Sequence, residues 1–298
     1  MKKEDLVNQI ETRANNSRAF GLIYRLGKVF CGAQKAIDSL PAEASLSEYC
    51  QKLIDGLGIK IETKLPQWAD QPDQAVLVVA PHEFHAEPQI LLTLLEKRID
   101  ELYFVAYPSA EFMLPAEHKD RIIPIVPTFF ASDAPKPPPS NPKKRVEQAV
   151  KKRLFGGNQT SMTKEEINQL NEDSFHRASN LLIQGKIVVI FPTANHDILQ
   201  TKWGRGIGEI ILRLVSDSQE KTQEIIFQPL SISSHRLTDL LRKMQAKFVK
   251  GQDVTPIIVH LDWGQASNIN NMNTLSAETD PRRIADFFQQ LYRQSYFS

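Results

Sequence analysis

From Ala75 onward the chain repeats one pattern: a short run of aliphatic and β-branched residues, then a turn, then a stretch with helical spacing. The runs are Val76–Ala80, Leu102–Ala106, Ile122–Val126, Ile187–Phe191, Ile225–Leu230 and Pro256–Leu261. Helical spacing is read over Pro88–Lys97, Thr163–Gln184 and Gly206–Ser216, and a terminal helix opens at Asp280-Pro281 and runs to about Arg293. Strands separated by helices are not joined as hairpins, because each helix carries the chain back so that the next strand runs parallel to the last. The pattern predicts an α/β fold with a mostly parallel sheet flanked by helices.

Two regions depart from it. Residues up to about Leu65 read as helical, with Leu6, Ile10 and Ala14 at helical spacing and Phe20, Ile23, Leu26, Val29 and Phe30 continuing the stripe. Ser45-Leu-Ser-Glu48 is a capping box that opens a helix to about Leu57, with Gly58 at its stop. We expect an N-terminal helical subdomain over 1–65 and the α/β domain over 66–298. Within the latter, 131–160 is interrupted by Asp133-Ala-Pro-Lys-Pro-Pro-Pro-Ser-Asn-Pro142, which fits neither a core strand nor a helix. Lys143, Lys144, Arg145, Lys151, Lys152 and Arg153 follow, opposed only by Glu147, so this stretch reads as an exposed Pro-rich and basic loop.

An apolar content of 41% is enough for a substantial core, which argues against wholesale disorder. A net charge of +1 gives no general attraction to nucleic acid, and none is expected as a partner. Cys31 and Cys50 have neither metal-binding nor redox spacing; two reduced thiols are the simpler reading, with a structural disulfide as the alternative. The N-terminus has no secretory pattern, and no run approaches the ~20 apolar residues of a spanning helix. A soluble or peripheral protein is expected.

The first strand stops at Pro81, and the turn after it presents His82 and, five positions on, Glu87 beside Pro88 at the head of an apolar helix. A carboxylate at that spacing can fold back on the ring, and an imidazole oriented by a carboxylate removes a proton from a hydroxyl near neutral pH. The plain alternative is a polar strand-to-helix loop with an acidic residue at a helix start. His82-Glu-Phe-His85 is one residue short of the His-Glu-x-x-His spacing that sets two imidazoles on one helix face, so no metal is expected.

The order of these segments resembles the glycerolipid acyltransferase family, whose members carry a His-x4-Asp box after the first core strand and a Phe-Pro-Glu-Gly-type box after a later one. His82 and Glu87 stand at the first box, with Glu for Asp. In Phe191-Pro-Thr-Ala-Asn-His-Asp197, Phe191 and Pro192 match the second of these, while Thr193 and His196 replace its Glu and Arg. Thr201-Lys-Trp-Gly-Arg-Gly-Ile-Gly208 is similar to the family's Lys-Pro-Gly segment at a helix start. Pro229 matches a strand-end box, and Arg121 or Lys119 is nearest to the Arg of another. The resemblance covers roughly Ala75 to Leu261. Its helical N-terminus and helix-rich insertion place it nearest the soluble plastid-type glycerol-3-phosphate acyltransferases.

The resemblance implies transfer of a fatty acyl group from an acyl thioester to a hydroxyl of glycerol 3-phosphate or a lysophospholipid. His82 would be the general base and Glu87 its orienting group. Thr193, Asn195, His196, Lys202 and Arg205 would hold the acceptor's polar head. No cofactor is bound in such a reaction; acyl-CoA or acyl carrier protein (acyl-ACP) is co-substrate and partner. Two other readings stand beside it: a non-catalytic lipid- or acyl-chain-binding relative, and an acyl-thioester or ester hydrolase. Five cations and no acid lie between Arg13 and Lys35, interleaved with Phe20, Leu22, Ile23, Tyr24, Leu26, Val29 and Phe30. With Lys143–Arg153 they predict peripheral association with an anionic membrane surface. The expected location is the cytoplasm or a plastid-stroma-like soluble compartment.

Overall fold

The computed structural model describes residues 44–82, 86–108, 110, 114–128, 131, 162–193, 197–217, 224–234, 256–269 and 278–297. The chain divides into two compact units, one of Met1–Ala69, His82–Ile99 and Ser231–Trp263, the other of Asp70–Pro81, Asp100–Leu230 and Gly264–Ser298. Each is built from strands and helices, and the strands pair in parallel except where Ser267–Asn268 runs antiparallel to Ile226–Phe227. The α/β class read from the alternation is what forms.

The larger unit is a parallel sheet in the order β6-β2-β5-β3-β4. Its strands are β2 (Ala75–Val79), β3 (Leu102–Ala106), β4 (Ile122–Pro124), β5 (Ile187–Ile190) and β6 (Ile225–Ser234, of this unit up to Leu230), with β8 (Ser267–Asn268) antiparallel on β6. β2 and β5 are buried at every residue, which explains why they read as unbroken apolar runs. They pair in register from Val76↔Ile187 to Val79↔Ile190, and the Ala80 N–H adds a further bond to the Ile190 carbonyl at 3.1 Å. After β2 the chain proceeds to β3, beyond β5; after β5 it proceeds to β6, beyond β2. Connections leaving adjacent strands in opposite directions define a topological switch point, where α/β sheets open their binding crevices at the carboxyl ends.

Helices α3 (Lys164–Ile183), α4 (Gly206–Asp217) and α5 (Pro281–Phe297) pack in sequence, α4 touching both others. Leu77, Val79, Val188, Ile190, Phe175, Ile207, Ile211 and Phe288 belong to one apolar core. Gly208 is fixed by this packing, since a Cβ there would lie 1.8 Å from the Pro281 carbonyl oxygen. β4 ends two residues before the expected Val126. Asn171 takes both backbone groups of Val126 at 2.9 Å, and Ser174 donates to the Pro124 carbonyl at 2.6 Å, so helix side chains replace a strand partner there.

In the smaller unit the expected capping box is made. The Ser45 N–H donates to Glu48 Oε2 at 2.7 Å and the Glu48 N–H to Ser45 Oγ at 3.2 Å, opening α1 (Leu46–Leu57). Gly58 closes it at φ 69°, a left-handed conformation that favours glycine. The expectation of helical structure up to Leu65 fails just beyond. Ile59–Glu62 is a strand, β1, paired in parallel with β7 (Ile257–Trp263), and the unit gathers sequence from both sides of the 65/66 boundary. Its alternation of Ile59 and Ile61 with Lys60 and Glu62 was the available signal. Beyond β1, Trp68 and Trp263 meet edge to face at 5.5 Å, and Trp263 Nε1–H donates to Thr63 Oγ1. Also in this unit, α2 (Glu87–Leu94) packs on α1 and is buried over Glu87–Leu92, the polar Glu87 and Gln89 included. The helical segments expected before Ser45, the Pro-rich loop and Cys31 lie outside the described residues; Cys50 is fully buried in α1.

Candidate active site

β2 runs straight and buried to Val79, Pro81 ends it, and His82 is the next residue. Pro88 stands within the first turn of α2, where its missing N–H leaves no helix bond unmade. Glu87 thereby becomes the first helical residue, and its carboxylate turns back to the imidazole, His82 Nδ1 to Glu87 Oε2 being 3.1 Å. The His82 side chain is 24% exposed and that of Glu87 0%.

Those exposures decide how the pair works. A carboxylate taken wholly out of water is costly unless it is paired and hydrogen-bonded. The imidazole stabilises this one, as does the helix N-terminus on which it sits, where the dipole favours negative charge. With Glu87 ionised the carboxylate can only accept, an arrangement that puts the ring proton on Nδ1 and the basic lone pair on Nε2. With a quarter of its side chain exposed, His82 is open to a substrate, and the orienting group behind it is not. The geometry suits general-base chemistry on a hydroxyl or a water.

At the end of β5, Thr193 is buried, three residues past Ile190. Asn195 and His196 lie outside the described residues. From Asp197 the chain makes a tight turn: Asp197 Oδ1 accepts from the N–H groups of Leu199 and Gln200, at 2.8 and 3.2 Å, and its carbonyl from Thr201. The Gly204 N–H then returns to the Pro192 carbonyl at 3.1 Å and closes the loop at its base.

Lys202 and Arg205 are not held as a matched anion cradle. Lys202 pairs with Asp286 of α5 at 3.1 Å, and Arg205 with Glu209, one turn along α4, at 3.4 Å. Both cations are more than half exposed. Arg121, the counterpart considered for a further box, sits at the opposite edge of the sheet. It precedes β4, donates to Asp100 at 2.9 Å and to the carbonyl of Leu102 at the start of β3, and is buried, which makes it a structural contact there. Asp197 and Gln289, which fix the loop after β5, were missed by sequence reasoning. Asp197 has the local signal of an acidic residue opening a turn; Gln289 has none, because its partners lie about 90 residues earlier.

No family model matches the chain, and no curated protein matches it. Among solved structures it is similar to the 1-acyl-sn-glycerophosphate (LPA) acyltransferase PlsC from Thermotoga maritima, at 11% identity over 85% of this chain and 79% of that one, with a TM-score of 0.38. So distant a likeness decides nothing about the chemistry.

Proposed function

We propose that the chain is an acyltransferase that moves a fatty acyl group from acyl-CoA or acyl-ACP to a hydroxyl of glycerol 3-phosphate or a lysophospholipid. The observation that carries this reading is the His82–Glu87 pair, with a buried carboxylate behind a partly exposed imidazole at the end of a central parallel strand. The ordered resemblance of the boxes around His82, Phe191 and Lys202 supports the choice of acyl transfer among the reactions open to such a base.

In the proposed reaction, Nε2 of His82 takes the acceptor's hydroxyl proton as the oxygen attacks the thioester carbonyl carbon. The resulting tetrahedral oxyanion collapses, the C–S bond breaks, and the imidazolium returns its proton to the departing sulfur. Glu87 keeps Nδ1–H aimed and stabilises the imidazolium, a role for which a fixed, desolvated carboxylate is suited. Thr193, Asn195 and His196 supply polar contacts to the acceptor head. Lys202 and Arg205 supply charge to its phosphate by exchanging their present carboxylate partners, as exposed ion pairs do readily.

The deciding experiment incubates the protein with a panel of acyl-CoA and acyl-ACP thioesters, with and without glycerol 3-phosphate or lysophospholipid, and analyses the lipids formed. Acyl product that appears only with an acceptor is expected. Thioester loss without acceptor would make it a hydrolase, and acyl-chain binding without turnover a non-catalytic relative.

No described helix is long and apolar enough to cross a membrane. The cationic segments 13–35 and 143–153 lie outside the described residues, and we propose from their composition that they hold the protein on anionic lipid. Binding to vesicles containing phosphatidylserine should fall as salt rises, because the Debye length shrinks from ~10 Å at 0.1 M to ~3 Å at 1 M. Equal binding to neutral vesicles at high salt would point to insertion of the apolar stripe instead.

A further inference from the structure

One face of α5 is given over to the loop that joins β5 to α4. Asp286, Gln289 and Arg293 recur at helical spacing, and each takes a partner in 198–202. Asp286 pairs with Lys202, and the Arg293 Nε–H donates to the Leu199 carbonyl at 3.0 Å. Gln289 is 5% exposed, beside the fully buried Phe288, and its Nε2 donates to the carbonyls of Thr201 at 2.7 Å and Ile198 at 3.3 Å. Trp203, buried against Tyr292 at 5.5 Å, donates from Nε1 to the same Ile198 carbonyl at 2.9 Å.

An amide in an apolar core is unfavourable unless its hydrogen bonds are made, and an aliphatic side chain would pack there at less cost. What Gln289 provides and an aliphatic residue cannot is a two-point hold on the loop backbone. The Gly204–Pro192 bond ties this stretch to the end of β5, so a hold at 198 and 201 fixes the described backbone from Asp197 to Gly204. Binding groups act efficiently only when their support keeps them within a fraction of an ångström of the productive position.

We propose that Gln289 is a positioning residue for the acceptor: from α5 it fixes the backbone over 197–204, which carries Lys202 and is tied by the Gly204–Pro192 bond to the strand end that carries Thr193. The inference rests on the acyltransferase reading for its kinetic consequence, and on the loop geometry alone for its structural one. The test compares wild-type protein with Gln289→Met, which keeps the length and loses both hydrogen bonds. Steady-state transfer to glycerol 3-phosphate and hydrogen exchange of the amides in 197–204 are both measured.

The acceptor KM should rise on the order of tenfold, the weight of one or two lost buried hydrogen bonds, while kcat changes less than about threefold. Exchange should quicken in 197–204 and not in β2 or β5. Should Gln289→Met fail to fold, Arg293→Ala removes from α5 an exposed side chain that donates to the same loop, and should move both readouts the same way by about threefold. Unchanged exchange in the loop overturns the proposal, as does quickened exchange with an unaltered acceptor KM. A wild-type protein without any transfer would overturn the acyltransferase reading only; loop exchange then decides alone whether Gln289 holds the loop.

Discussion

The segments that leave β2 and β5 are held by opposite means. After β2, Glu87, entirely out of water, lies against His82 at 3.1 Å. After β5, many weak contacts share the load, among them the Asp197 turn, the Gly204–Pro192 closure and the side chains of α5. Desolvation explains the first arrangement, since a buried carboxylate must keep its partner, and the ring orientation is stabilised as a by-product. The second arrangement separates backbone from side chains: the buried Gln289 holds the backbone, while the exposed Lys202 and Arg205 take whichever carboxylate is near and release it at little cost. A fixed ring orientation and exchangeable surface charge thus have separate physical origins in one chain.

Breaking the β2 side should have the largest effect. His82→Ala removes the base and should lower transfer by a factor on the order of a hundred to ten thousand, with the unfolding transition little changed. Full transfer by that variant would end the assignment. Glu87→Asp is the sharper probe, because the side chain now reaches the ring with its full length. Shortened by one methylene, the carboxylate retreats by roughly 1 Å, a misplacement worth up to about a hundredfold in rate. Activity preserved or raised in Glu87→Asp would show that the loop relaxes to follow the shorter side chain and that the 3.1 Å contact does not set the rate.

On the β5 side, Gly208→Ala addresses the packing that frames the loop. The added methyl would collide with the Pro281 backbone, α4 and α5 must part, and we expect a loss of about 1–3 kcal/mol in urea unfolding. The smallest effect is expected from Lys202→Ala with Arg205→Ala. These exposed pairs should contribute less than about 1 kcal/mol to stability, while the apparent acceptor KM rises with kcat nearly constant. Unaltered acceptor kinetics in the double variant would place the anion elsewhere or make the acceptor uncharged.

Much of this was legible in the residues. Leu102–Ala106 was bounded as it forms, and the helices near 163–184 and 206–216 were placed within about one residue, because caps and apolar periodicity are local signals. β1 was lost although its alternation is visible, since four residues acquire meaning as a strand only when β7 pairs with them from nearly 200 positions away. The ends of β4 and of the terminal helix were misjudged for the same reason. Asn171 stops one, and the packing of Tyr292 and Tyr296 prolongs the other past Arg293 to Phe297.

By itself, then, the sequence determined the alternation that makes the sheet parallel, the stop at Pro81, and the presence of an imidazole and a carboxylate five residues apart. Those follow from period, backbone restriction and short separation, all of which act within a few residues. Only tertiary structure decided that Glu87 is dry and His82 is not, that Lys202 and Arg205 spend their charge on Asp286 and Glu209, and that Gln289 grips a loop about 90 residues earlier in the chain. Burial and charge pairing depend on which surfaces meet, and that is fixed by packing between segments far apart in sequence.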